Sequence, residues 1–301
     1  MANARGKEID NTHLSIVQAE ARGFLHRDYI AHCLRWTHVV KYLSLKKRYK
    51  EANILDVGCG KDMPLARTLM TSRLAPMSYL GVDFNAMEIP SMFEKTTFQP
   101  KLIQNEDFSL LDLKLWFEMK MGEGWKPNYV TCFEVLEHVE PWTAIKILGN
   151  IGEHVSDDNT CWFSTPCWDE KVGAAANHVN EMTYEAFGSL LEHMGFKILD
   201  HWGTFASIKD YRIHMDLKTE EMFDKLKEYY DSNYIATIFA PLYPQHSRNC
   251  LWETQFCGRL KLEERNFGPI DKIEGRLGSS THWRELVKCT NAEEKEVSTE
   301  T

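Results

Sequence analysis

The sequence predicts an α/β fold, a parallel sheet with helices on both faces. Three short apolar runs carry that expectation. Asn53-Ile54-Leu55-Asp56-Val57-Gly58-Cys59-Gly60 reads as a strand ending in an acid and a Gly-x-Gly turn. Tyr79-Leu80-Gly81-Val82-Asp83 is a second run ending in a carboxylate, and Tyr129-Val130-Thr131-Cys132-Phe133-Glu134 runs straight into Val135-Leu136-Glu137-His138-Val139. Strands that alternate with helical patterns form βαβ units, which build a parallel sheet covered on both sides.

The elements follow in order. Residues 1–11 are polar and expected to be loose. Leu14 to Leu45 is helical, with Ile30, Cys33, Leu34, Val40, Tyr42 and Leu43 grouped into apolar faces at three- and four-residue steps, and a break near Gly23–Asp28 divides it into two helices. Strand one covers 52–57 and a helix follows near 63–72. Strand two covers 78–83, and a short strand three lies near 101–104. Strand four covers 128–133, with a helix near 141–154 and strand five at 160–165. Thr183 is a good cap for a helix over Tyr184–Met194, which Gly195 stops. Strand six covers 196–202 and strand seven 250–258. Between them lies a long insertion, 207–248, with an amphipathic helix at Lys218–Tyr230 and segments at Asn233–Phe239 and Pro241–Asn249. The chain thus divides into an N-terminal helical region (1–49), a core (50–260) and a C-terminal extension (261–301), whose acidic end, Asn291–Thr301, is expected to be disordered.

Composition narrows the classes. With 301 residues, 43% hydrophobic and 26% charged, the chain can bury a sizeable core. No apolar stretch reaches the ~18 residues needed to span a bilayer, so no membrane partner is expected. Met1–Glu8 shows no apolar secretory core. The eight cysteines include no C-x-x-C pair and read as free thiols in a reducing, cytoplasmic setting. The net charge of −9 argues against a broad nucleic-acid footprint. Lys41, Lys46, Lys47, Arg48 and Lys50 form a local basic run that reads equally well as a solvated helix end.

Glycines at a strand tip let the backbone approach a nucleotide closely, and an acid ending the next strand can accept both hydroxyls of a ribose. A dinucleotide-binding oxidoreductase would need G-x-G-x-x-G, but Lys61, Asp62 and Met63 follow Gly60 and the third glycine is missing. In order, Leu55–Gly60, Gly81-Val82-Asp83 and Phe133–Val139 resemble the glycine motif, the ribose-binding acid and the post-strand-four segment of the class I S-adenosylmethionine-dependent methyltransferases. The resemblance covers residues 50–205 and, more weakly, extends to about 258; Asn128 stands where the family often has an acid. It implies a Rossmann-like, seven-stranded, mostly parallel sheet with strand seven antiparallel to strand six. It also implies S-adenosylmethionine as cofactor, and methyl transfer to an O or N nucleophile of a small molecule or nucleic-acid component. Strand six would end, and strand seven begin, at the ligand-binding edge. The 207–248 insertion is therefore expected over the crevice, forming a substrate-selecting helical cap with the N-terminal helices. The alternative is an extended core or a homodimer surface.

On this resemblance Asp56, Gly58, Cys59 and Gly60 border the methionine end of the cofactor, and Asp83, followed by Phe84, binds the ribose. A helix-capping role for Asp83 with Asn85 is the structural alternative. Asp107 and Phe108 are candidate adenine contacts, or equally a loop acid beside a core ring, and Phe133 and Glu134 border the sulfonium. If the segment after strand four is helical, Glu134, Glu137 and His138 share one face, and His178 follows strand five at the same edge. Two carboxylates and two imidazoles can hold a divalent metal. The set looks like the metal site of small-RNA 3′-end 2′-O-methyltransferases, and a related Glu-x-x-Glu-His occurs in ubiquinone-pathway O-methyltransferases. Metal-free members also carry Glu-Val-Leu-Glu-His-Val, and the metal-free reading is favoured, with His138, Glu134 and His178 as the acid–base group.

Amino-methylating DNA enzymes are argued against, because Phe133-Glu134-Val135-Leu136 stands where they place a Pro-Pro motif; Pro166-Cys167 follows strand five rather than strand four, which argues against a cytosine C5 enzyme. The alternatives carried forward are a metal-dependent RNA or nucleotide 2′-O-methyltransferase, and a methyltransferase-like binding subunit without turnover.

Overall fold

The computed structural model describes residues 27–156, 159–258 and 260–286. Seven strands form one sheet: β1 (Asn53–Val57), β2 (Ser78–Asp83), β3 (Lys101–Gln104), β4 (Tyr129–Phe133), β5 (Thr160–Pro166), β6 (Phe196–Phe205) and β7 (Asn249–Phe256). Their order is β3-β2-β1-β4-β5-β7-β6. All pairings are parallel except those of β7, which runs antiparallel to both β5 and β6. The order reverses between β1 and β4, so the crevice at their carboxyl ends is the natural ligand position.

The strands read as apolar because both faces are covered. Leu55, Val57, Val130, Cys132, Cys161 and Phe163 face one core; Ile54, Tyr79, Tyr129, Trp162 and Leu251 face the other. The second core is closed by α1 (Arg27–Leu45) and α2 (Pro64–Thr71). The first is closed by α3 (Leu113–Met121), α4 (Pro141–His154) and α5 (Tyr184–His193). Helix α3 was not expected: it is short, buries only Leu113 and Phe117, and is set by its Asp112 cap and the stop at Gly122. Helix α1 buries Ala31, Arg35, Val39 and Leu43 at four-residue steps; of the apolar residues the sequence suggests, Leu43 lies in this row and Leu34, Val40 and Tyr42 flank it, half-buried against the same core. It crosses the sheet face, from Arg35 beside Glu134 at the carboxyl edge to Tyr42 against Thr160 and Tyr129 at the amino edge.

The insertion between β6 and β7 folds as α6 (Ile208–Tyr211), α7 (Leu217–Lys227) and α8 (Ser232–Phe239) around Tyr211, Phe223, Ile235 and Phe239. Side chains of Ser207, Asp216 and Asp231 cap the three helices. Helix α8 packs on α1 and β6. Segment 260–286 adds Ile270, Leu277 and Trp283 to the first core. The expected first N-terminal helix, the loose residues 1–11 and the acidic tail 291–301 lie outside the described residues. Among the described residues no helix is long and apolar enough to cross a membrane.

Candidate active site

The site is built from the carboxyl ends of β1, β2 and β4. Asp56 lies one residue inside β1 and is buried. Its carboxylate accepts the Tyr79 hydroxyl from β2 and, at 2.6 Å, the Thr131 hydroxyl from β4. Burial raises its pKa to about 6 despite both hydrogen bonds. Asp56 thus rivets three strands. The glycine turn comes next. Gly58 has φ +69°, and a Cβ there would clash with Val135 Cγ2. Gly60 has φ +70°, and a Cβ there would meet only Pro64 Cδ, in ordinary contact at 3.8 Å. Cys59 faces inward, packed where a Cβ on Gly81 would lie, and burial pushes its thiol well up.

Asp83 ends β2 and ties two turns together. Its carboxylate accepts the Gly60 N–H at 2.9 Å, the Asn85 N–H at 2.9 Å and the Asn85 side chain at 3.1 Å. Phe84 beside it is 72% exposed, an aromatic ring left at the rim. The loop after β3 meets this turn through Asn105 N–H to the Asn85 carbonyl at 3.4 Å. Asp107 caps its own turn through Ser109, and Phe108 enters the core.

Glu134 is not helical. Its φ of +56° puts a non-glycine residue in the left-handed region, and the chain turns sharply at the end of β4 before a 3-10 turn, Leu136–His138. The helical face expected for Glu134, Glu137 and His138 therefore does not form. The Glu134 carboxylate turns instead to Arg35 (3.0 Å), Ser164 Oγ (2.8 Å) and Asn249 Nδ2 (2.7 Å), while Phe133 packs against the second core.

Glu137, His138 and His178 do converge, with ligand-capable atoms all within 4.8 Å of one another. The crossover after β5 brings His178 in: Val179 and Asn180 donate backbone N–H groups to the Glu137 carbonyl at 2.9 and 3.1 Å. His138 Nδ1 lies 3.2 Å from the Asn177 carbonyl, and His178 Nδ1 lies 2.5 Å from Glu181 Oε1. Such outer partners orient imidazoles. The two rings meet edge to face at 4.7 Å. Glu137 is buried, its Oε2 has no hydrogen-bond partner, and burial, with Glu134 nearby, pushes it well above the usual carboxylate range.

Sequence reasoning missed Arg35, Ser164, Asn249 and Glu181. A usable signal existed for Arg35, a charged residue inside the buried four-step row of α1. The other three join the site only through strand pairing and the crossover.

The methyltransferase-domain family model matches residues 26–201. Among solved structures, magnesium protoporphyrin IX methyltransferase from Synechocystis PCC 6803 with bound SAH aligns at 13% identity and TM-score 0.49, over 84% of this chain and 92% of that one. An S-adenosylmethionine-dependent methyltransferase from Clostridium acetobutylicum ATCC 824 aligns at 11% identity and TM-score 0.49, over 81% and 97%. Burkholderia thailandensis 1,6-didemethyltoxoflavin-N1-methyltransferase aligns at 14% identity and TM-score 0.47, over 80% and 84%; its structure holds 1,6-didemethyltoxoflavin and S-adenosylhomocysteine. No curated protein matches the sequence.

Proposed function

The chain belongs to the methyltransferase-domain family; from that premise we propose that it is an S-adenosylmethionine-dependent methyltransferase acting on a hydroxyl oxygen of a small molecule. The cofactor lies along the β1–β2 half of the edge, and the acceptor lies over Glu137, His138 and His178. S-adenosylmethionine brings a methyl group already activated by its sulfonium, so the protein mainly aligns the partners and takes one proton. In this reading the methionine end lies over the Gly58–Gly60 turn, where a Cβ on Gly60 would meet only Pro64 Cδ. Asp83 accepts the ribose hydroxyls, Phe84 lies against the adenine, and the 207–248 insertion selects the acceptor.

The convergence of a buried carboxylate with two oriented imidazoles carries the hydroxyl reading. An amine can attack with its own lone pair, whereas a hydroxyl must lose its proton as it attacks, and in this reading His138 receives it. The small-molecule reading is supported by the net charge of −9. It is also supported by the basic run, since Lys46 to Lys50 lead into the amino end of β1, opposite the site. The described cysteines are free thiols, in keeping with a cytoplasmic setting.

The test is transfer of labelled methyl groups into a cell extract, with and without nuclease, followed by characterisation of the product. Label in small, nuclease-indifferent methyl ethers is expected. Label confined to nuclease-sensitive material, to amines or to methyl esters would refute the reading.

One observation favours a second reading, the orphaned Glu137 Oε2. Glu137, His138 and His178 fit a divalent cation, which would neutralise the buried carboxylate and supply a Lewis acid for acceptor oxygens, as a 2′-O-methyltransferase acting on a ribose diol would need. Glu134, committed to Arg35, would not be among the ligands. Calorimetric titration of chelator-treated protein with Mg²⁺, Mn²⁺ or Co²⁺ tests it; binding abolished by Glu137→Gln supports this reading, and no binding removes it.

A further inference from the structure

Arg35 holds the end of β4 from outside the glycine turn and the carboxylate–histidine group. It stands in the row Ala31, Arg35, Val39, Leu43 on α1, where the other three residues are apolar and buried. Its side chain is only 2% exposed. A guanidinium this deep must be paired to be tolerated. Its pair is Glu134 at 3.0 Å, with a longer contact to Asn249 Oδ1 at 3.5 Å. Asn249 is itself held by the Thr204 hydroxyl at 2.7 Å and donates to Glu134.

Glu134 is one of five described non-glycine residues at positive φ, a strained conformation; Lys47 and Arg73 adopt it at exposed turns, whereas Glu134 does so at the end of a central strand. Arg35, Ser164 and Asn249, from α1, β5 and β7, hold it there. The residues directly after Glu134 build the site itself. Val135 fills the position over Gly58 where a Cβ would clash. Leu136–His138 is the 3-10 turn that carries Glu137 and His138.

We infer that Arg35 is a positioning residue: by clamping Glu134 in its left-handed conformation it couples the docking of α1 to both halves of the site. One half is the Val135–Gly58 floor on the donor side, and the other is the Glu137–His138 turn on the acceptor side. The inference rests on methyl transfer at this edge, not on the identity of the acceptor. It explains why a charged residue occupies an apolar stripe and why Glu134 is turned away from its neighbouring acids.

A double-mutant cycle tests it, with Arg35→Met, Glu134→Gln and both together. S-adenosylhomocysteine affinity by calorimetry reads the donor side without an acceptor, and kcat reads the acceptor side; thermal melting confirms folding at the assay temperature. Each folded single variant is expected to lose about tenfold in kcat and severalfold in S-adenosylhomocysteine affinity. The double variant should be no worse than the poorer single, because both act through one contact. If Arg35→Met does not fold, Arg35→Lys, which keeps the charge but loses the planar fork, takes its place in the cycle. Losses that multiply in the double variant, or a folded Arg35 variant within twofold of wild type on both readouts, would overturn the inference. The calorimetric arm stands even if the acceptor proves not to be a hydroxyl.

Discussion

Asp56 and Asp83 lie at the ends of adjacent strands and differ in what surrounds them. Asp83 sits at the mouth of the crevice, bonded to turn N–H groups. If Asp83 binds the ribose as proposed, Asp83→Ala should weaken S-adenosylmethionine binding by about 1–3 kcal/mol, since two hydroxyls would lose a charged acceptor. Calorimetry with Asp83→Asn alongside separates that loss from the loss of the bond to Gly60; unchanged affinity in both variants would remove Asp83 from the site. Asp56 is enclosed, and burial raises it from the ordinary carboxylate value to about 6. Its folded state therefore binds a proton more tightly than its unfolded state. The favourable contribution is fully present below about pH 4 and is lost as pH rises through about 6, a swing on the order of 2–3 kcal/mol. Asp56→Asn keeps an acceptor for Tyr79 and removes the titration. Its unfolding free energy should be flatter than wild type's between pH 4 and 6 in urea titrations, and an unaltered pH dependence would contradict this.

Among the elements, the insertion is the most independent. Phe223, Ile235 and Phe239 pack with Tyr211, whose hydroxyl donates to the Ala236 carbonyl at 2.5 Å and whose ring stacks on Tyr243 at 4.8 Å. Its helices are capped from within, so it can loosen without unravelling the sheet. Phe223→Ala should destabilise the insertion by about 3–5 kcal/mol. Hydrogen exchange should show α7 and α8 opening ahead of β1 and β4. If the insertion selects the acceptor, turnover falls while S-adenosylhomocysteine affinity stays within twofold. Deleting 212–246 across a short linker should reproduce that separation in full, and retained turnover on the native acceptor would end the cap reading.

At the scale of the molecule, the site is braced from the far end of the chain. Trp283 Nε1 donates to Asn180 Oδ1 at 2.6 Å, and Asn180 donates to the Leu136 carbonyl at 3.0 Å. Ser279 bonds both ways with Glu181, the partner of His178. Segment 260–286 thus fixes the crossover that delivers His178. Trp283→Phe preserves the apolar body but leaves Asn180 Oδ1 without its donor, and should lower stability by about 1–3 kcal/mol in denaturant unfolding. If the acceptor lies over Glu137, His138 and His178 as proposed, kcat should fall more than S-adenosylhomocysteine affinity, because the brace reaches that turn. Equal losses in both would mean that the segment acts on the sheet as a whole.

The strands β1, β2, β4, β5 and β7 were legible in the amino-acid sequence because each is a nearly continuous buried run, whereas β3 and β6 are partly exposed. The expected bounds of β2, β3 and α4 coincide with those observed. Gly58 and Asp83 were legible for the same local reason: a positive φ and a carboxylate at a strand tip are properties of a few consecutive residues. Helix α3 was not, since two buried side chains make too weak a period. The convergence at β4 belongs to tertiary structure alone. Glu134, Glu137, His138 and His178 are all visible as candidates, but which of them meet depends on the left-handed turn at Glu134. That turn is held by Arg35, Ser164 and Asn249, which come from three other elements. Local chemistry is written in neighbouring residues; the pairing of a buried charge is decided only when packing excludes water and leaves it one partner.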